Sequence, residues 1–127
     1  MEICSEAPGV NSNWPSDITF YINGTKVGMW TSPGDFGKGR GIYTPKWWSK
    51  DVNQFGLLKV IKVNNSGTFI DGQKVSDINI ENIDVTKKQW TLRIAVEENS
   101  EHVGGLSLFG KGFGNYDQDI VVKVYFS

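Results

Sequence analysis

The sequence predicts an all-β domain, an antiparallel β-sandwich of jelly-roll type. No window of the chain sustains a helical period, whereas alternation of apolar and polar residues is common. Turn-forming pairs such as Asn23–Gly24 and Asp71–Gly72 separate the alternating segments. A chain of 127 residues is also the size of a single domain, long enough to bury a core without a disulfide or a metal.

The strand-like segments follow one another along most of the chain. In chain order, strands are predicted at residues 17–22, 25–30, 55–64, 68–75, 89–97, 106–109 and 118–126. Asn23–Gly24 joins the first two segments as a hairpin, and Asp71–Gly72 divides residues 68–75 into two short strands. Residues 64–67 form a further turn, and residues 77–85 are compatible with either a strand or an irregular crossover.

The two ends of the chain differ in character. Residues 1–13 are polar, contain Pro8 and Gly9, and are expected to be a flexible N-terminal segment before a sandwich domain at 14–127. Cys4 is the one cysteine and has no partner for an internal disulfide, which fits a reducing compartment. There is no signal-peptide pattern and no apolar run of membrane-spanning length. A cytoplasmic protein that does not enter the membrane is therefore expected.

Charge excludes one class of partner for this domain alone. The formal net charge is −1, with 13 basic and 14 acidic residues. Domains that bind nucleic acid directly carry a basic surface that neutralises phosphates. We therefore expect no direct contact of this domain with DNA.

Two short glycine-rich segments match each other at six of eight positions: FGKGRGIY at 36–43 and FGKGFGNY at 109–116. The residues that flank the two segments do not match, which argues against an internal duplication. Neither segment has the preceding parallel strand and following helix of a phosphate-binding loop. Two interpretations stay open: glycines that serve tight β-connections, or two walls of one ligand pocket.

A long, ordered loop that is rich in Trp and Gly is predicted at residues 30–56. A connection of this length without a strand pattern is usually functional, and its aromatic side chains offer too much apolar area for a disordered segment. Flat rings beside polar groups suit a ligand with apolar faces and hydroxyl edges, such as a saccharide. We expect Trp47 and Trp48 to divide their roles, one stacking on the ligand and the other packing inward. The candidate ligand-binding residues are Trp30, Asp35, Arg40, Tyr43, Trp47, Trp48, His102, Asn115 and Tyr116.

The sequence gives no pattern of a catalytic site. His102 is the only histidine, and no spacing of carboxylates defines an acid–base pair. A Cys4–His102 nucleophile pair would place the thiol in a terminal segment expected to be frayed. We expect no catalytic residue, no cofactor and no enzymatic activity. Asp35, Asp117 and Asp119 are loop carboxylates that could hold a calcium ion, and the sequence leaves this metal undecided.

Three segments carry a resemblance to a known family: WTSPGDFG at 30–37, YTPKWW at 43–48 and GGLSLFGKGFGNYDQDI at 104–120. Together with neighbouring residues over about 14–126, they resemble the C-terminal region of predicted bacterial transcriptional regulators with an ArsR-like winged-helix domain. The resemblance implies a β-rich effector domain, with DNA bound through a separate N-terminal domain. The DNA-reading helices of that group have no counterpart in this sequence, and the family supplies no catalytic residue.

The first functional expectation is therefore a non-catalytic domain that senses a saccharide or another small molecule and biases a DNA-binding partner domain. The alternative is a carbohydrate-binding module of a glycoside-active enzyme. A homodimer is an assembly that the sequence leaves open.

Overall fold

The computed structural model describes residues 1–126, and in this part of the chain the regular structure is all β apart from one 3-10 turn, at Ile80–Asn82. The strands are β1 Glu2–Cys4, β2 Ser16–Ile22, β3 Thr25–Ser32, β4 Leu57–Leu58, β5 Ile61–Asn64, β6 Gly67–Ile70, β7 Gln73–Ser76, β8 Leu92–Val96 and β9 Ser107–Phe109. All strand pairs are antiparallel and form three three-stranded sheets, ordered β4-β1-β9, β3-β2-β8 and β5-β6-β7. The predicted all-β antiparallel class is confirmed, while the sandwich and jelly-roll arrangements are finer descriptions that stay predictions.

The predicted hairpin is the best-defined part of the fold. β2 and β3 pair from Ser16↔Ser32 to Ile22↔Thr25, with a register shift between Phe20 and Tyr21. The turn residues Asn23 and Gly24 have φ values of 49° and 83°, and positive φ at both positions is what a two-residue hairpin turn of type I′ requires. β8 pairs with the other side of β2, so β2 is the central strand of its sheet.

The long strand predicted at 55–64 is divided into β4 and β5, which belong to different sheets. The interruption lies at Lys59 and Val60. Lys59 N donates to Met1 O at 2.8 Å, and Val60 N donates to the Asp71 carboxylate at 2.9 Å. The Lys59 bond extends the β4–β1 pairing by one residue, whereas Val60 faces Asp71 at the end of the β5–β6 pairing, so the strand partner changes between Lys59 and Val60. The predicted turn at Asp71–Gly72 is confirmed between β6 and β7.

The N-terminal segment corrects an expectation from sequence. Residues 2–4 form the central strand β1 between β4 and β9, where Ile3 and Cys4 are fully buried. The prediction of a flexible segment at 1–13 is wrong for these residues, because pairing on both sides and burial of Ile3 outweigh the polar composition of the segment.

The C-terminal segment corrects another expectation. Residues 118–126 alternate like a strand but belong to no strand in the described chain, and most of their side chains are exposed. Residues 77–85, which the sequence left open, form an irregular crossover around the 3-10 turn. Asn79 caps that turn by accepting from Glu81 N at 2.9 Å.

One hydrophobic core joins elements from all three sheets. The buried members of the core are Ile3, Ile18, Phe20, Val27, Ile70 and Ile83. β3 also packs directly on β7, where a Cβ atom at Gly28 would lie 2.7 Å from Val75 Cγ2. Among residues 1–126 no helix is long and apolar enough to span a bilayer.

The connection from β3 to β4 is an ordered loop at residues 33–56. The loop predicted at 30–56 starts three residues too early, because residues 30–32 continue the pairing of β3 with β2. An isolated bridge pairs Phe36 with Phe55 near its two ends, and their rings stack with centroids 5.6 Å apart. The loop closes on itself at this bridge and holds residues 37–54 over the β1 sheet, where Gly56 N donates to the Glu2 carboxylate at 2.7 Å.

Candidate ligand-binding surface

The two glycine-rich segments lie side by side and are joined directly. We call residues 36–43 the first glycine loop and residues 109–116 the second glycine loop. Tyr43 N donates to Gly114 O at 2.8 Å, and Ile42 N donates to Asn115 Oδ1 at 2.9 Å. Gly114 N in turn donates to Thr44 Oγ1 at 2.9 Å. The two loops therefore form one joint, although 70 positions separate Thr44 from Gly114.

Equivalent glycines have equivalent roles in the two loops. Gly39 and Gly112 have φ values of 84° and 86°, a backbone conformation that favours glycine, and no atom would lie within 4 Å of an added Cβ. Gly41 and Gly114 lie at the contact between the loops, and Gly114 also has a positive φ, of 72°. A Cβ at Gly41 would be 2.7 Å from Gly114 O, and one at Gly114 would overlap the Glu2 carboxylate. The motif thus combines a turn glycine with a close-approach glycine, once in each partner of the joint.

The buried carboxylate of Glu2 holds the second glycine loop in place through hydrogen bonds to its backbone. Glu2 is fully buried and accepts from Gly56 N at 2.7 Å, from Asn115 N at 3.0 Å and from Tyr116 N at 3.0 Å. A buried carboxylate is tolerated where several backbone N–H groups are directed at it, as here. Reasoning from sequence missed Glu2, because an acidic residue at the second position of a polar segment carries no pattern that indicates burial.

Three aromatic rings form an edge-to-face cluster beside the joint, and we call Trp47, Trp48 and Phe113 the aromatic platform. Their ring centroids are 5.4–5.9 Å apart, with interplanar angles of 77–84°. Trp48 is half-buried and its Nε1 donates to Asn53 O at 2.9 Å, whereas Trp47 is 74% exposed. Phe113 belongs to the second glycine loop and Trp47 to the long loop, so the platform spans the same joint.

The polar residues predicted for this region brace the loops. Arg40 Nη1 donates to Pro45 O at 2.6 Å and to Trp48 O at 3.1 Å, which holds the segment that carries both tryptophans. The Asn115 side chain accepts from Ile42 N as described above. Tyr43 and Tyr116 are 45% and 40% exposed at the joint. Of the nine predicted site residues, the structure brings six together here: Arg40, Tyr43, Trp47, Trp48, Asn115 and Tyr116.

The other three predicted residues make contacts of a different kind. Trp30 lies in β3, packs against the core and has Lys59 Nζ 4.7 Å from its ring centroid. Asp35 is 1% exposed, and its Oδ2 accepts from Ala7 N at 2.9 Å, while its Oδ1 has no hydrogen-bond partner among residues 1–126. Burial raises the pKa of Asp35 above its ordinary value. Asp35 therefore takes no part in the contact between the glycine loops, although it is among the residues that line the first cleft described below.

His102 belongs to a hydrogen-bonded group with Asp17 and Thr31. Its backbone N and its Nδ1 lie 3.0 Å and 3.3 Å from the Asp17 carboxylate, which also accepts from Thr31 Oγ1 at 2.7 Å. Burial by itself raises the pKa of Asp17, but the hydrogen bonds from Thr31 and His102 outweigh it and hold the pKa below its ordinary value. The carboxylate orients the imidazole and ties the segment around His102 to β2.

Among the clefts on the described part of the chain, two have a volume of about 240 Å³ each. The first touches the first glycine loop at Phe36–Lys38, and its other lining residues are Val10, Asn11, Ser12, Asp35 and Phe55. The second is lined by Val60, Lys62, Asn64, Phe69 and Gly72. Neither cleft includes the second glycine loop. The loops meet through direct hydrogen bonds and present an exposed aromatic surface, and neither of these two clefts has both loops as its walls, so the expected shared pocket stays a prediction.

The structure also bears on the metal and thiol chemistry that the sequence left open. In residues 1–126 no group of three or more His, Cys, Asp or Glu side chains is arranged to hold a metal ion. Asp117 and Asp119 accept from Gly112 N and Lys111 N, each at 2.9 Å, and so brace the second glycine loop. Burial raises the pKa of the Cys4 thiol to about 12, which keeps it protonated and poorly nucleophilic at neutral pH.

Comparison of the chain with protein-family models, curated proteins and solved structures finds no match. The functional argument therefore rests on the residues and geometry described above.

Proposed function

We propose that this domain is a non-catalytic ligand-sensing domain that binds a saccharide, or a small molecule of similar chemistry, on the aromatic platform. The observation that carries the proposal is the Trp47 ring, which is 74% exposed and is held edge-to-face against Trp48 and Phe113. A large aromatic side chain left in water beside a rigid joint is typical of a binding surface.

The chemistry of the joint fits a polyhydroxylated ligand. The apolar C–H face of a sugar ring stacks on an indole, and its hydroxyl groups bond with polar groups at the rim. Tyr43 and Tyr116 offer partly exposed phenol groups, and Arg40 is an exposed cation next to Trp48. Because hydrogen bonds within the protein hold Arg40 and Trp48, the surface is preorganised, which reduces the entropy lost on binding.

The proposed context is a bacterial transcriptional regulator that acts in the cytoplasm. The resemblance of WTSPGDFG, YTPKWW and GGLSLFGKGFGNYDQDI to the C-terminal region of ArsR-like regulators supports this context. DNA would be bound by a separate N-terminal winged-helix domain, and ligand binding here would bias that domain. A carbohydrate-binding module would use the same platform, and the resemblance favours the regulator over it.

The test is a thermal-shift screen of the wild-type chain against glucose, galactose, mannose, N-acetylglucosamine and their short oligomers, followed by calorimetric titration of each hit. A ligand that binds the native state raises the melting temperature in line with RT ln(1 + [L]/Kd). Trp47→Ala should weaken binding about tenfold or more, because it removes both the stacked ring and its buried area. Trp47→Phe should retain part of the affinity.

Val85→Ala is the matched control, since Val85 is an exposed apolar residue, at 45%, on the crossover between the 3-10 turn and β8. It should leave both binding and melting temperature unchanged. If no saccharide shifts the melting temperature, or if Trp47→Ala binds the hit as tightly as the wild type, the platform is not a saccharide site.

A further inference from the structure

The C-terminal tail, residues 118–126, is a strand-forming sequence without a strand partner in the described chain. Val121 and Val122 are 62% and 63% exposed, and Tyr125 and Phe126 are 85% and 87% exposed. β-branched and aromatic residues in alternation favour extended structure. An exposed run of this kind is a template for pairing with another sheet edge.

The root of the tail is fixed to the body of the domain. Lys111 N donates to Asp119 Oδ1 and Gly112 N donates to Asp117 Oδ1, each at 2.9 Å, and Gln118 N donates to Tyr116 O at 2.8 Å. The tail thus leaves a braced loop at a defined place. From Ile120 onward its apolar side chains are exposed.

The outer edge of β8 offers a matching partner. β8 pairs with β2 on one side only, so the backbone groups on its other side face no strand among residues 1–126. Ile94 and Val96 are half-buried and point toward the core. On the opposite face, Arg93 lies over the Tyr21 ring at 4.7 Å, and Glu97 accepts a hydrogen bond from the Tyr21 hydroxyl.

We infer that the tail of one copy of this chain adds as a strand to the β8 edge of a second copy, and that the second copy does the same in return. Strand addition of this kind supplies main-chain hydrogen bonds for affinity and alternate side chains for specificity. A reciprocal exchange closes with two-fold symmetry, so every contact occurs twice.

The order of charged residues along the tail and along β8 favours one alignment of the two strands. Asp119 and Lys123 are four residues apart and share one face of an extended tail, as Arg93 of β8 and Glu97, the residue after β8, share one face. A parallel alignment brings Asp119 beside Arg93 and Lys123 beside Glu97. Antiparallel pairing of the same residues would bring like charges together, which is destabilising.

The apolar faces match in the same alignment. With Lys123 beside Glu97, Ile120 lies beside Ile94 and Val122 lies beside Val96, since side chains alternate along both strands. The tail then covers the half-buried side of β8. One register therefore satisfies the charges and the apolar residues together.

The available area is sufficient for a specific dimer. The register places Tyr125 and Phe126 just beyond the end of β8, against the turn that follows it. An aromatic side chain buries roughly 150–250 Å², so these rings of two copies offer on the order of 600 Å² to that part of the neighbouring copy. The Ile and Val side chains of both tails bring the total to the order of 1,000 Å², the size that a specific interface needs.

The experiment measures the oligomeric state of the full chain by sedimentation velocity and light scattering over a range of micromolar concentrations. The wild type should be a dimer that dissociates on dilution. Val122→Pro removes a backbone donor in the middle of the added strand and should give a monomer. Val122 is 63% exposed, so its replacement should not disturb the fold of the monomer. At a low concentration, where both proteins are monomeric, the variant should have the same circular dichroism spectrum and melting temperature as the wild type.

A charge exchange tests the alignment. Lys123→Glu and Glu97→Lys should each raise the dimer dissociation constant about tenfold, because each occurs twice in the symmetric assembly and sets like charges together. The double variant should restore dimerisation. A monomeric wild type at all concentrations, or a Val122→Pro variant that still dimerises, would overturn the exchange. Failure of the double variant to recover would overturn the register.

Discussion

At the scale of single residues, the two glycine loops show how one motif can combine two different needs. The middle glycines, Gly39 and Gly112, supply a turn conformation, and the third glycines, Gly41 and Gly114, supply space. Only the need for space depends on the partner loop and on Glu2. The chain uses the motif twice because two loops that approach this closely each require a position without a side chain at the contact.

Replacing Gly114 and Gly112 by alanine separates these needs. Both positions have positive φ, so both variants carry the backbone strain of about 1–2 kcal/mol that a non-glycine residue incurs there. At Gly114 the added Cβ also collides with the buried Glu2 carboxylate and breaks its bonds to the loop. We expect Gly114→Ala to lower the free energy of unfolding by about 3 kcal/mol or more, and Gly112→Ala by about 1 kcal/mol. Urea denaturation measures both, and equal losses would contradict the close-approach role of Gly114.

Asp17 gives the domain a definite dependence on pH. Its pKa is below the ordinary value in the folded state, so its ionised form stabilises the fold. This contribution is fully present above the unfolded pKa, at about 4, and is lost as the pH falls through the lower folded pKa.

Asp17→Asn should therefore lower the free energy of unfolding by about 2 kcal/mol at pH 7, with a smaller difference from wild type as the pH falls below about 4. Denaturation curves at a series of pH values measure this. Asp51→Asn, at an exposed position, is the control and should show no comparable loss. A difference between Asp17→Asn and wild type that stays constant down to pH 2.5 would show that the ionised carboxylate is not what stabilises the pair.

At the scale of elements, composition mispredicts both ends of the chain: it indicates a flexible segment at the start and a strand at the end, whereas the structure has a strand at the start and none in residues 118–126. The polar start contains β1, the central strand of a sheet, while the apolar end has no strand partner in residues 1–126. A strand forms only where another strand offers hydrogen bonds, whatever its own propensity. β1 has β4 and β9 on its two sides, and Lys59 N donates to Met1 O next to it.

At the scale of the whole molecule, three small sheets share one core and one external joint. Ile3, Phe20, Val27 and Ile70 come from strands of all three sheets and pack together, so no sheet is independent of the others. The long loop and the second glycine loop then meet outside this core and carry the aromatic platform. The three sheets thus share one hydrophobic core, while the candidate binding surface is formed by the loops that connect the strands.

The charge of the whole molecule predicts its behaviour toward nucleic acid. With a net charge of −1, the domain lacks the excess of basic groups that neutralises phosphates. Its described residues also contain no α-helix to enter a major groove. The chain should not bind a labelled duplex in a fluorescence-anisotropy titration at physiological salt. Micromolar binding that weakens steeply with added salt would contradict this and would point to a DNA contact outside the proposed partner domain.

The sequence by itself determined those features of the fold that depend only on residues close together in the chain. Alternation and turn chemistry were enough for the all-β class and for the hairpin with its Asn23–Gly24 turn, because both are set within a few positions of the chain. Aromatic residues without a strand pattern were enough to indicate the long loop at 33–56, although its start was predicted three residues early, inside β3. Six of the nine candidate site residues meet at the joint because they lie on, or next to, the two glycine loops that sequence comparison singled out.

Only the tertiary structure decided which distant groups meet. Glu2 bonds to Asn115 across 113 positions, and nothing near either residue in the sequence indicates the other. The same holds for Asp35 and His102, whose partners Ala7 and Asp17 lie 28 and 85 positions away. Burial and hydrogen bonding of a polar side chain are properties of its surroundings in space, and those surroundings form only when the sheets share their core.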